Sequence, residues 1–113
     1  MVTHSSEQTL DKRPNMRGGN GVAELRALIP ELPAAVRLFS RIELAPGCSI
    51  GYHVHEGETE LFYFASGSGR VCDDGEWFDV SAGDAMSTPS GHGHAVENTG
   101  TEPLVLSACI VLD

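Results

Sequence analysis

Residues 51–64 read Gly51-Tyr-His-Val-His-Glu-Gly-Glu-Thr-Glu-Leu-Phe-Tyr-Phe64, and this stretch decides the fold. In an extended strand, side chains face the same way every second residue, so His53 and His55 point to one side with Cα atoms about 6.8 Å apart. Two imidazoles at that spacing can converge on one ion. The stretch EGET, with Gly57 inside it, reads as a turn, and the chain returns antiparallel as a strand from Glu60 to Ala65. Glu60 then comes to lie beside the two histidines. Neutral imidazole with carboxylate is a usual ligand set for divalent metals, and ligands gathered on one side leave the others open for water or substrate. Phe62 and Phe64 share the parity of Glu60, so they are expected to line the interior around it. They serve there either as substrate-contacting walls that keep the site dry or as ordinary core.

The same alternation extends outward in both directions. Val36, Leu38, Ser40, Ile42 and Leu44 fall on one face of a strand that ends at APG; Arg37, Phe39, Arg41 and Glu43 fall on the other. Further strands are expected at 49–55, 70–72, 77–80, 85–88, 94–98 and 104–112, with DDGE as a hairpin turn and SGSG, SAGD, PSGHG and TGTEP as corners. Short strands recurring every eight to twelve residues, in a chain with 13 Gly and 6 Pro, indicate an all-β sandwich or barrel. GVAELRALI, from Gly21, alternates like a half-buried strand. Residues 1–20 are polar and read as an N-terminal arm, with residues 21–113 as a single domain.

Charge is divided unevenly. Residues 1–41 carry six Lys and Arg against four acids, whereas residues 42–113 carry Arg70 alone against twelve acids, within a net charge of -9. So acidic a surface repels phosphate backbones and anionic lipid, so no nucleic-acid or membrane partner is expected. The three cysteines, Cys48, Cys72 and Cys109, are odd in number and far apart, which fits a reduced, cytoplasmic chain; the N-terminus lacks the apolar stretch of a signal peptide. A homodimer is expected. The last strand is apolar on both faces, with Leu104, Leu106, Ala108 and Ile110 on one and Val105, Cys109 and Val111 on the other, and the basic arm needs an acidic surface to lie on.

The remaining histidines sharpen the reading. His92 and His94 form a second H-x-H in GHGH, and either can supply a fourth ligand, while His4 sits in the polar arm. Two spaced patterns carry a resemblance. Gly47, five residues, His53, one residue, His55, four residues, Glu60, six residues and Gly67 resemble the first motif of the cupin superfamily. Gly83, five residues, Pro89, one residue, Gly91, two residues, His94, three residues and Asn98 resemble its second motif, with fifteen residues between the two. The resemblance spans about Val36 to Leu112. It implies a double-stranded β-helix, a small jelly-roll barrel holding one metal. It assigns His53, His55, Glu60 and His94 as ligands, choosing His94 over His92. It also implies corner roles for Gly47, Gly67, Gly83 and Gly91, a structural role for Asn98, and an N-terminal segment that crosses to a second subunit.

Such barrels host many chemistries, so the fold alone does not give the function. Three histidines and a glutamate with open positions suit Fe(II), Mn(II) or Ni(II), and Zn(II) is admitted although it prefers four-coordinate sites. The leading expectation is a metal-dependent enzyme on a small oxygenated metabolite, with dioxygenase chemistry placed first. Two alternatives stand beside it: an isomerase, epimerase or lyase needing a proton acceptor near the substrate, and a non-enzymatic module that only binds a small molecule. His92 is the candidate proton relay. Arg70 is the residue to suspect of binding an anionic substrate, unless it is simply a surface arginine.

Overall fold

The computed structural model describes residues 1–113. Ten strands run in order β1 (Thr9–Pro14), β2 (Val22–Ala27), β3 (Val36–Leu44), β4 (Ser49–Val54), β5 (Glu58–Ser66), β6 (Ser68–Asp73), β7 (Glu76–Ser81), β8 (Ala85–Thr88), β9 (Gly93–Glu97) and β10 (Leu104–Leu112). They form two antiparallel sheets, a six-stranded one in the order β1-β2-β3-β10-β5-β8 and a four-stranded one in the order β4-β9-β6-β7. The alternation seen in the sequence packs the space between them. Leu25, Ile42, Leu44, Phe64, Leu104, Leu106 and Ala108 from the larger sheet meet Ile50, Val71 and Val96 from the smaller one. No helix is long and apolar enough to cross a membrane.

The corner glycines take the conformations the cupin motifs imply: Gly47, Gly67, Gly83 and Gly91 all have positive φ, between 83° and 97°. Asn98 is structural. Its Nδ2 donates to Leu44 O and to Glu102 O, both at 2.8 Å, and its Oδ1 accepts from Gly100 N at 2.9 Å.

Part of the polar N-terminal segment is a strand. Residues 9–14 form the edge strand β1, paired along its whole length with β2 of the same chain, from Thr9 opposite Ala27 to Pro14 opposite Val22. All six residues are exposed. With neither face covered there is no selection for a period-two apolar pattern, so the strand leaves no hydrophobic signal in the sequence. Its edge position also tolerates Pro14. β5 begins two residues earlier than EGET suggested, so Glu58 is a strand residue rather than part of the turn.

Candidate metal centre

Register brings the four expected ligands together. His53 on β4 lies directly opposite His94 on β9, and Glu60 on β5 lies opposite Thr88 on β8 and Ile110 on β10. The centre therefore joins the two sheets, with Glu60 from the larger and His53 and His94 from the smaller. His55 follows β4, held by backbone hydrogen bonds from its N to His92 O and from Gly91 N to its O. A bulge between Ile50 and His53 makes the arrangement work. Ile50 is buried in the core three residues before His53, and strict alternation would turn one of the two outward. The extra residue resets the parity, so both face in while Tyr52 and Val54 face solvent.

The four donors pack closely. His94 Nε2 lies 3.1 Å from His55 Nε2 and 3.1 Å from His53 Nε2, and Glu60 Oε1 lies 3.0 Å from both His55 Nε2 and His94 Nε2. Each outer nitrogen has a partner. Gly51 O accepts from His53 Nδ1 at 2.8 Å, Glu58 Oε2 accepts from His55 Nδ1 at 2.6 Å, and Thr88 Oγ1 meets His94 Nδ1 at 2.7 Å. A carbonyl and a carboxylate can only accept, so His53 and His55 carry their proton on Nδ1 and direct the Nε2 lone pair inward. A cation placed among them would take the inward lone pairs of His53 and His55 together with the Glu60 carboxylate oxygen. The residues present thus fit a divalent metal, and His53, His55, Glu60 and His94 form a cluster that could hold one.

The surroundings reinforce this. Burial pushes the His53 imidazole down to about 4, so it is neutral and ready to ligate at ordinary pH. Hydrogen bonds from Arg37, joined by one from His55, hold the Glu58 carboxyl down at about 2. Arg37 grips Glu58 with two bonds, Nε to Oε1 at 2.9 Å and Nη2 to Oε2 at 2.7 Å, making a chain Arg37–Glu58–His55 behind the centre. Phe62 lies against His94, rings nearly parallel with centroids 4.9 Å apart, and meets Phe64 edge-on.

Among the other expected residues, Phe62 lines the cavity beside the centre, whereas Phe64 is wholly buried in the core behind it. His92 is exposed, with its Nδ1 bonded to Asp74, which raises its pKa above the usual imidazole range. It is not among the cavity's lining residues. Arg70 also lies away from the cavity. It pairs with Glu97 across β6 and β9 on the exposed face of the smaller sheet, and its guanidinium sits 4.2 Å above the Trp77 ring. The cavity, of about 40 Å³, instead has Arg13, Arg17 and Arg37 in its wall, with Met16, Leu25, Leu38, Ile42, Ile50 and Ile110. Sequence reading missed these arginines and Glu58. The one visible signal of the arginines was the excess of basic residues before position 42; Glu58 had none beyond its place in EGET.

Comparison with known proteins agrees with this geometry. Residues 40–111 match the family described as "Cupin domain". A curated protein of Thermotoga maritima named "Oxalate-binding protein" is 43% identical over 114 residues, which cover 99% of this chain and 94% of that protein. A crystal structure from the same organism, described as a predicted oxalate decarboxylase, superposes over 100% of both chains with a TM-score of 0.95 and 43% identity. A cupin structure from Shewanella frigidimarina covers 99% of this chain and 90% of its own with a TM-score of 0.80; at 14% identity it speaks for the fold alone.

Proposed function

The chain belongs to the cupin family, and from that premise we propose that it takes a small dicarboxylate of oxalate's size at a divalent metal held by His53, His55, Glu60 and His94. The observation that carries this reading is a compact, arginine-lined cavity opening on the three-histidine, one-glutamate cluster. The inner cavity is small, about 40 Å³, which favours a ligand of few atoms such as oxalate. In a chain of net charge -9, a local group of arginines is what an anion needs. The relative named for oxalate binding supports the same class of ligand.

A bound divalent ion would supply Lewis-acid charge for a carboxylate oxygen and, if iron or manganese, redox capacity towards dioxygen. The chain's own residues do the rest. Glu58 and the carbonyl of Gly51 fix the tautomers of His55 and His53. Phe62, with Leu38, Ile42 and Ile110, keeps water from the inner wall. Three imidazoles and one carboxylate are donors that six-coordinate divalent ions accept as readily as zinc does. The donor set would suit Fe, Mn or Ni, with Zn also admitted.

The titratable side chains lining the cavity are the arginines and the ligands themselves. Nothing there is free to shuttle a proton, which favours binding, or chemistry needing no protein base, over an isomerase or proton-transferring lyase. Oxygen-dependent turnover, the dioxygenase reading, is therefore the second reading. A homodimer in the cytoplasm completes the proposal, supported by an apolar groove on the outer face of the larger sheet, where Phe39, Leu61, Tyr63 and Cys109 meet, and by three free thiols. The test is calorimetric titration of oxalate into protein loaded with Mn(II), Fe(II), Ni(II) or Zn(II), with oxygen uptake and formate measured in parallel. Micromolar binding that vanishes in the metal-free protein is expected. Failure of oxalate to bind under every metal would overturn the reading.

A further inference from the structure

Of the three arginines in the cavity wall, two are already engaged. Arg37 holds Glu58, and Arg13 Nε donates to Asp11 at 2.7 Å. The arginine ion pairs of the molecule belong to Arg13, Arg37, Arg41 and Arg70, so Arg17, an exposed residue at the cavity wall, has no ion-pair partner.

Its backbone is unusual too. Arg17 sits at φ 55° and ψ 29°, in the left-handed region that a residue with a Cβ enters only at a cost. The turn that contains it, Met16–Gly18, is clamped onto β4. A Cβ added at Gly51 would lie 2.1 Å from Arg17 O, and one at Gly19 would lie 2.2 Å from Ser49 O, so backbone rests on backbone with no side chain between. Ser49 N donates to Asn20 O, Asn20 N donates to Ser49 Oγ, and Asn15 Nδ2 donates to Gly19 O. The carbonyl of Gly51, the residue against which Arg17 O packs, accepts from the ligand His53. The scaffold that orients a metal ligand thus also fixes where Arg17 stands. Glycine would hold that turn at less cost, and arginine occupies it.

We propose that Arg17 is the anion-binding, specificity-determining residue of this site, receiving one carboxylate of a small dicarboxylate while the other lies at the His53–His55–Glu60–His94 centre. The proposal rests on the dicarboxylate reading above and adds the residue that would distinguish a dianion from a monoanion. A guanidinium presents paired N–H donors in a planar fork matched to a carboxylate, which a lysine ammonium does not. Arg37 and Arg13 are committed to Glu58 and Asp11, so Arg17 is the wall cation left for a second negative charge on the ligand.

The experiment uses the full chain loaded with Mn(II), titrated at pH 7 with oxalate and with acetate, for the wild type and for Arg17→Gly, Arg17→Lys and the control Arg41→Ala. Arg17→Gly should weaken oxalate about ten- to hundredfold and leave acetate nearly unchanged, collapsing the preference between them. Arg17→Lys should recover part of the loss, and Arg41→Ala should behave as wild type. Mn(II) affinity should stay constant, and the metal-free Tm should hold or rise, because glycine relieves the left-handed turn. Oxalate binding within twofold of wild type in Arg17→Gly would overturn the assignment. So would an oxalate loss matched by a fall in Mn(II) affinity or Tm, which would mark a structural role. If the Mn(II)-loaded wild type itself ignores oxalate, the dicarboxylate reading falls first and this proposal with it.

Discussion

Glu58 is not a ligand, yet its removal should be felt at the metal. Its Oε2 accepts from His55 Nδ1 at 2.6 Å, and Arg37 holds the carboxylate from behind through two bonds. His55 is buried, so in Glu58→Ala its Nδ1–H loses its partner and the ring is free to turn or to adopt the other tautomer. Loss of such an outer partner lowers metal affinity about 10- to 100-fold, or roughly 1.4 to 2.7 kcal/mol. The metal-free protein should separately lose about 1–3 kcal/mol for the orphaned buried donor. The broken Arg37 pair should add less than about 1 kcal/mol, because the arginine is half exposed. Affinity is measured by competition for Mn(II) or Zn(II) against a chelator, and stability by urea unfolding of the metal-free chain. Glu58→Gln keeps an acceptor of the same length and should recover most of the metal affinity, although Arg37 loses its ionic partner. Arg37→Ala should fall between wild type and Glu58→Ala. A Glu58→Ala protein that binds metal within threefold of wild type would refute the view that this chain of groups orients His55.

Glu60→Ala should lose most of its metal by elemental analysis after chelator-free purification, since it removes the one ligand contributed by the larger sheet and the ion fixes all four together. Stability of the metal-free protein should fall on acidification between about pH 6.5 and 4. His53 is held at about 4 when folded, so in that window the unfolded chain binds the extra proton and protonation favours unfolding. The slope is at most about 1.4 kcal/mol per pH unit, and less because water reaches part of the ring; urea unfolding of His53→Gln at the same pH values should show a shallower dependence. Tyr63→Asp with Leu61→Arg, both on the exposed outer face of the larger sheet, should yield a monomer by light scattering with metal content intact; an unchanged dimer would move the interface elsewhere.

An all-β architecture was legible in the sequence because it rests on short-range periodicity, and the four residues the structure clusters were named by the resemblance to the two cupin motifs. His53 and His55 share a face since strand side chains repeat every two residues. Glu60 follows one turn later, and the alternation from Val36 to Leu44 reappears as the buried face of β3. The resemblance of Gly83 to Asn98 to the second cupin motif implied His94 over His92, and His94 is the one whose Nε2 meets the other donors. What lies around the ligands was decided by tertiary structure, because it depends on pairings between distant residues that leave no local pattern. The bulge after Ile50 turns both Ile50 and His53 inward, and it exists only in the register of β4 against β9. Arg37 reaches Glu58 across twenty-one positions. β1 is exposed on both faces, so nothing in its composition marks it as a strand; only pairing with β2 does. The cation the sequence offered was Arg70, the only one after position 41. The fold spends it on Glu97 and Trp77 and brings Arg17 to the cavity instead, on a turn whose place is set by close backbone contact with β4.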